Sequence, residues 1–190
     1  MDSTREQILS TAEAWVRTSG YAGFSYADLS ESVGIRKASI HHHFPTKENL
    51  AVALVDRYQR EFSRALEALS ETHRDAVSKL RGYADLYFAG LREGRACLCG
   101  MLASDYALVP QRVQIGVQGF FACSIEWLER VITQAQDEGA IGSNRDAGLE
   151  ARVFHATILG AMFAARVRSD LPEFTRVSES ALRGLLATNA

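Results

Sequence analysis

Hydrophobic residues recur along this chain every three or four positions, the spacing at which side chains share one face of an α-helix. The longest such stripe starts after Pro45 and predicts a connecting helix over residues 47–70, with Thr46 as its N-cap. No stretch shows the sustained period-two alternation of a half-buried strand. We therefore predict an all-α fold of about nine helices, with an N-terminal domain (residues 1–46) and a larger helical body (residues 47–190).

The remaining stripes predict five further segments, and all three prolines fall at predicted helix starts. The approximate spans are Ser3 to Ser19, Leu80 to Gly94, Pro110 to Gly139, Asp146 to Ser169 and Pro172 to Thr188, with a short apolar segment from Ala96 to Tyr106.

Two short helical patterns separated by a tight turn lie between the first helix and the connecting helix. Ser25 and Asp28 form a capping box at the start of the first pattern, and Gly34 suits the left-handed conformation that the turn requires. Ile40 and Phe44, four positions apart, give the second pattern one inward face. This arrangement predicts a helix-turn-helix.

The outward face of that second short helix carries hydrogen-bond donors suited to guanine edges and phosphate oxygens. The predicted DNA-contacting residues are Ser25, Tyr26, Arg36, Lys37, Ser39, His41, His42 and Lys47. The formal net charge of the chain is −2, so any DNA binding must depend on this local cationic patch.

Three consecutive histidines also suggest a metal site. Neighbours on a helix are rotated by about 100° from one another, however, so His41, His42 and His43 cannot converge on one ion. We therefore predict no metal and no cofactor, and expect His43 to pack inward.

The stretch GIRKASIHHHFPTKENL (residues 34–50), together with GFSYADL (residues 23–29), resembles the signature of the TetR family of transcriptional regulators. The match covers about the first quarter of the chain. The resemblance implies a homodimeric regulator, usually a repressor, that binds a palindromic double-stranded DNA operator and is released by a small-molecule inducer held in the helical body.

Two positions depart from the family pattern. The family commonly has Ser or Pro where Arg36 stands, and at the position of His41 a Tyr whose phenol touches a phosphate. We expect His41 to take over that contact and Arg36 to add a base or phosphate contact. If His41 and His42 bind phosphate as imidazolium, lowering the pH should tighten operator binding.

Composition limits the classes of protein to which the chain can belong. A share of 47% hydrophobic and 23% charged residues is ordinary for a globular protein, and no apolar run is long enough to span a membrane. The N-terminus does not resemble a signal peptide, so we expect a cytoplasmic protein.

The helical body shows no pattern typical of a catalytic site, and we predict that the chain is not an enzyme. An enzyme or binding protein that keeps the helix-turn-helix only as scaffold is an alternative. Core packing explains most aromatic residues in the body, but buried Tyr, His and Trp also suit a ligand pocket. The candidate ligand-binding residues are Tyr83, Tyr87, Met101, Tyr106, Phe120, Cys123, Trp127 and His155.

The cysteines support a second alternative, a thiol-based sensor of oxidants or electrophiles. Cys97, Cys99 or Cys123 would serve if a nearby arginine or a helix N-terminus stabilised the thiolate. The competing explanation is that small thiols fill the core, which is common for free cysteine.

Small residues at four-residue spacing on the penultimate helix allow close approach of another helix. The predicted dimer interface comprises Ala156, Gly160, Ala164, Leu182 and Leu186. Packing within one subunit is the alternative explanation.

Overall fold

The computed structural model describes residues 3–186, and it is all-α over that range, as the hydrophobic pattern predicts. The helices found there are α1 (Ser3–Ser19), α2 (Tyr26–Val33), α3 (Lys37–His43), α4 (Lys47–Thr72), α5 (Ala76–Arg92), α6 (Leu98–Ser104), α7 (Gln111–Asp137), α8 (Ala147–Arg168) and α9 (Leu171–Leu186). None of them is long and apolar enough to cross a membrane.

The predicted start of the connecting helix is confirmed. Thr46 Oγ1 accepts the backbone N–H of Asn49 at 3.1 Å, and Asn49 Oδ1 accepts the N–H of Thr46 at 3.2 Å, which is a reciprocal cap. Pro110 lies one residue before α7 and Pro172 one residue inside α9. The predicted end of the last helix, at Thr188, lies outside the described residues.

The chain divides into two compact units. The first comprises the residues up to Glu61 together with Cys97–Phe120, and the second comprises Phe62–Ala96 and the residues from Phe121 onward. The first unit thus extends beyond the helix-turn-helix domain of residues 1–46, because the beginning of α4, α6 and the beginning of α7 belong to it as well.

Buried ion pairs hold α1 against α4 inside the first unit. The guanidinium of Arg57 donates to the carboxylate of Glu13 at 2.6 Å, and Arg17 donates to the same carboxylate at 3.2 Å. Glu13 is buried, so its charge requires these partners. The helix that precedes the helix-turn-helix is therefore fixed to the helix that follows it.

Candidate nucleic-acid interface

Two local signals build the helix-turn-helix in the first unit, and both predictions are confirmed. Ser25 Oγ accepts the N–H groups of Ala27 and Asp28, while the carboxylate of Asp28 accepts the N–H of Ser25 at 2.7 Å. Gly34 ends α2 in the left-handed conformation, with φ of 72°. A residue with a Cβ atom would be strained at that position.

The two faces of α3 divide as the sequence predicts. Ile40 is fully buried, and Phe44, which follows the helix, is 3% exposed. On the opposite side the side chains of Arg36, Lys37, His41 and His42 are exposed, and Ser39 is half-buried. The helix therefore offers a row of cationic and donor groups to a partner outside the chain.

Tyr26 does not belong to that exposed row. It is 7% exposed, and its hydroxyl lies 2.9 Å from the carbonyl oxygen of Phe44 and 2.6 Å from that of Thr46, to which it donates. Burial raises the pKa of Tyr26 to about 12. This corrects the prediction that Tyr26 contacts DNA: its hydroxyl is bonded inside the unit and secures the end of α3.

Lys47 is also engaged inside the unit. Its Nζ donates to the carbonyl of Phe24 at 2.6 Å and lies over the rings of Phe24 and Tyr21, 4.3 and 4.7 Å from their centroids. Burial lowers the pKa of this ammonium group. The ammonium group therefore fixes the segment before α2, and the hydroxyl of Ser25 caps the start of that helix.

The three histidines of α3 make different contacts within the first unit. His41 Nδ1 lies 3.1 Å from the carbonyl oxygen of Pro45, and its ring meets Tyr26 edge-on. The rings of His42 and His43 meet each other edge-on at 5.2 Å. Within residues 3–186, no cluster of His, Cys, Asp or Glu side chains is arranged to hold a metal ion.

Arg5 is an additional cation beside the exposed row. Its guanidinium carbon lies 5.2 Å from the ring centroid of Phe44, and its side chain is 44% exposed. Nothing in the local sequence pattern marks Arg5, because α1 and the end of α3 meet only in the folded unit.

The end of α6 is bonded to the loop after α1. The carboxylate of Asp105 accepts the backbone N–H of Tyr21 at 2.7 Å, next to Gly20, whose φ is 80°. This bond joins the helix-turn-helix to a segment far along the chain, and short-range patterns carry no signal for it.

The second unit contains a buried aromatic cluster with a chain of polar atoms. Tyr83 Oη lies 2.7 Å from His155 Nδ1 and 3.1 Å from Tyr87 Oη, and Trp127 stacks on Tyr83 with ring centroids 5.9 Å apart. Burial lowers the pKa of His155 to about 4, so its imidazole is neutral at physiological pH. Four of the eight candidate ligand-binding residues meet here.

The other four candidates lie elsewhere. Met101, Tyr106 and Phe120 belong to the first unit. Tyr106 is 38% exposed and accepts a hydrogen bond from Gln118 at 2.6 Å, and Cys123 is also exposed. The expectation that Tyr106 and Cys123 belong to an aromatic interior is therefore wrong, because both side chains face outward.

The remaining cysteines are buried. Cys97 precedes α6 and is 3% exposed, while Cys99 lies inside that helix and is fully buried. Desolvation raises the pKa of both thiols, with that of Cys99 well above its ordinary value. Burial therefore disfavours the thiolate that reaction with an oxidant or electrophile needs.

The predicted dimer residues separate into two groups. Ala156, Gly160 and Ala164 lie on the exposed face of α8, and a Cβ atom added to Gly160 would meet no other atom within 4 Å. Leu182 is 3% exposed, which corrects its assignment to an interface with another chain: its side chain packs inside the second unit. Leu186 is half-buried.

Comparisons with known proteins identify relatives of both parts of the chain. The family model described as "Bacterial regulatory proteins, tetR family" matches residues 8–54, and the model described as "Tetracyclin repressor-like, C-terminal domain" matches residues 76–181. Among curated proteins, the transcriptional repressor DhaR of Mycobacterium sp. strain GP1 is 25% identical, covering 86% of this chain and 84% of its own length.

Two solved structures resemble the chain over nearly its whole length. A TetR-family transcriptional regulator from Agrobacterium tumefaciens has 33% sequence identity and a TM-score of 0.93, covering 97% of this chain and 98% of its own. A TetR regulator from Legionella pneumophila has 29% identity and a TM-score of 0.87 over the same shares.

Proposed function

Because the chain belongs to the TetR family of bacterial transcriptional regulators, we propose that it is a homodimeric repressor that releases its operator when an inducer binds. The observation that carries the proposal is the exposed face of α3. Arg36, Lys37, His41 and His42 are all turned outward there, whereas Ile40 on the opposite side is buried. A protein of net charge −2 binds DNA through such a local patch.

In this proposal α3 enters the major groove, where Arg36, Lys37 and Ser39 read base edges or phosphates and His41 and His42 contact the backbone. Arg5, beside the end of α3, adds a further phosphate contact. Ser25, Tyr26 and Lys47 act indirectly, because their polar groups hold the fold of the helix-turn-helix formed by α2 and α3, which we call the reading head.

The proposed dimer forms through α8. Six small or apolar residues follow one another at three- or four-residue spacing along its exposed side: Leu149, Val153, Ala156, Gly160, Ala164 and Val167. Leu149, Val153 and Val167 are 55%, 52% and 86% exposed. A second copy of the helix would bury this stripe and place two reading heads on the half-sites of a palindrome.

We place the inducer in the second unit, at the aromatic cluster of Tyr83, Tyr87, Trp127 and His155. These side chains combine a large apolar surface with a few polar atoms, as ligand sites do. Inducer binding would shift α4, which contributes residues to both units, and change the spacing of the two heads. We propose no catalytic activity for the protein and expect it to act in the cytoplasm, where its DNA lies.

The thiol alternative has less support. Cys97 and Cys99 are buried with raised pKa values, so Cys123 is the accessible thiol of the three. The solved structure of the reduced form of NemR from Escherichia coli shares only 20% sequence identity with this chain. At that identity it supports a similar fold and gives no support for thiol chemistry here.

The decisive experiment is selection of bound duplexes from random DNA, followed by titration of the selected duplex in excess competitor DNA. We expect a palindromic consensus with half-sites about one helical turn apart. Binding that disappears with competitor DNA would favour the scaffold alternative. A screen for small molecules that release the selected duplex then tests the inducer.

A further inference from the structure

The hydrogen bond between His41 and Pro45 fixes where the imidazole carries its proton. Nδ1 of His41 lies 3.1 Å from the carbonyl oxygen of Pro45. A carbonyl oxygen only accepts, so Nδ1 must be the N–H donor. In the neutral ring Nε2 is then unprotonated, and this nitrogen is the one left for a partner outside the chain.

His41 is in ring contact with Tyr26 and follows Lys37 on the same helix. The ring of Tyr26, from α2, meets it edge-on at 4.9 Å, and the phenol stays neutral because burial raises its pKa to about 12. Lys37 lies one turn earlier on α3, and Lys47, at the start of α4, donates to Phe24. No carboxylate is bonded to His41 within residues 3–186.

We infer that operator binding by this protein is coupled to protonation of His41, so that each reading head takes up a proton when it engages a phosphate. This inference rests on the proposed function. A phosphate oxygen only accepts hydrogen bonds, and a neutral Nε2 faces it with a lone pair. A protonated ring donates from Nε2 while Nδ1 keeps its bond to Pro45, which gives a charge-assisted contact.

Two measurable consequences follow. Because binding takes up protons, operator affinity falls as the pH rises. Uptake of one proton per head lowers the operator affinity by up to tenfold per pH unit for each head. The salt dependence also changes, because a protonated His41 adds a phosphate contact: the slope of log affinity against log salt is steeper at low pH by about 0.9 per head.

The test is titration of the selected operator duplex by fluorescence anisotropy from pH 6 to 8.5 at constant ionic strength, with the unaltered protein and two variants. In His41→Tyr the phenol donates a hydrogen bond over this whole range, so we expect binding without the His41-dependent slope. His73→Gln is the matched control, because it removes an imidazole that lies between α4 and α5, outside the DNA-contacting face, and leaves the bond from His41 to Pro45 intact.

Calorimetric titration of the unaltered protein in two buffers of different ionisation enthalpy measures the protons taken up directly. About one proton per head supports the inference. Specific binding without proton uptake, or an equal pH slope in the unaltered protein and His41→Tyr, overturns it and leaves the proposed function standing. Failure to select any specific duplex at pH 6 would instead count against the proposed function.

Discussion

The hydroxyl of Tyr83 and Nδ1 of His155 form a buried hydrogen bond of 2.7 Å between α5 and α8. His155 is 6% exposed and burial lowers its pKa to about 4, whereas an unfolded histidine titrates near 6.5. Between these two pKa values, His155 is therefore protonated in the unfolded chain and neutral in the folded chain. The stability contributed by neutral His155 is complete above about pH 6.5 and is lost as the pH falls toward 4.

We accordingly expect the free energy of unfolding to fall by about 1 kcal/mol more in the unaltered protein than in His155→Gln between pH 7.5 and 5.5. Glutamine keeps an acceptor for Tyr83 but does not titrate. Urea unfolding of both proteins at the two pH values provides the measurement. An equal loss in both would show that His155 does not carry this pH dependence.

The bond from Tyr21 N–H to Asp105 leads to a second expectation. Asp105→Ala leaves that N–H without its charged acceptor, and we expect unfolding to become easier by about 1–2 kcal/mol. Ser104→Ala is the control, because the exposed Ser104 hydroxyl donates only to the carbonyl of Met101 in its own helix. Amide exchange at Tyr21 should accelerate in Asp105→Ala alone. Unchanged exchange would mean that the loop does not depend on α6.

The local signals of the helix-turn-helix were all available in the sequence. A cap such as Ser25 with Asp28, the turn at Gly34 and the burial of Ile40 each depend on residues within a few positions, and the structure confirms them. The position of Tyr26 was not available, because its hydroxyl is satisfied by the carbonyls of Phe44 and Thr46, which follow α3 about twenty positions along the chain.

Long-range contacts limited the prediction of the body in the same way. The hydrophobic pattern places Leu182 on the apolar face of a helix. It does not show whether that face packs inside the subunit or against another chain, which depends on how α9 packs. Cys123 and Tyr106 are of residue types common in cores, and only the folded chain shows that they face outward.

Alkylation should discriminate among the three thiols. We expect N-ethylmaleimide to label Cys123 in the native protein, while Cys97 and Cys99 react only after unfolding, because they are buried and their pKa values are raised. Mass spectrometry of the labelled peptides identifies the sites. We also expect operator affinity to survive labelling at Cys123. Release of DNA by the reagent, abolished in Cys97→Ser, Cys99→Ser or Cys123→Ser, would revive the thiol-sensor alternative.

If the cationic side chains on the exposed face of α3 contact phosphates, they should make operator binding depend on salt concentration. Arg36→Ala and Lys37→Ala should each weaken operator binding and reduce the slope of log affinity against log salt by about 0.9 per head for each lost phosphate contact. Arg64→Ala removes an equal charge from an exposed position on α4 and is the control. Titrations at several salt concentrations measure the slopes. An Arg64→Ala effect as large as the other two would indicate a general charge effect instead of contact by α3.

If a second copy of the chain covers the apolar stripe on α8, a charge introduced into that stripe should weaken the dimer. Ala164→Glu places a carboxylate in the middle of the proposed dimer contact, where an unpaired charge is costly, so we expect monomers at micromolar concentration in analytical ultracentrifugation. Ala68→Glu makes the same change at an exposed alanine of α4 and should leave the dimer intact. Both positions are exposed in the single chain, so both variants should keep their helical circular dichroism. A dimeric Ala164→Glu, or an unaltered protein that is already monomeric, would rule out association through α8.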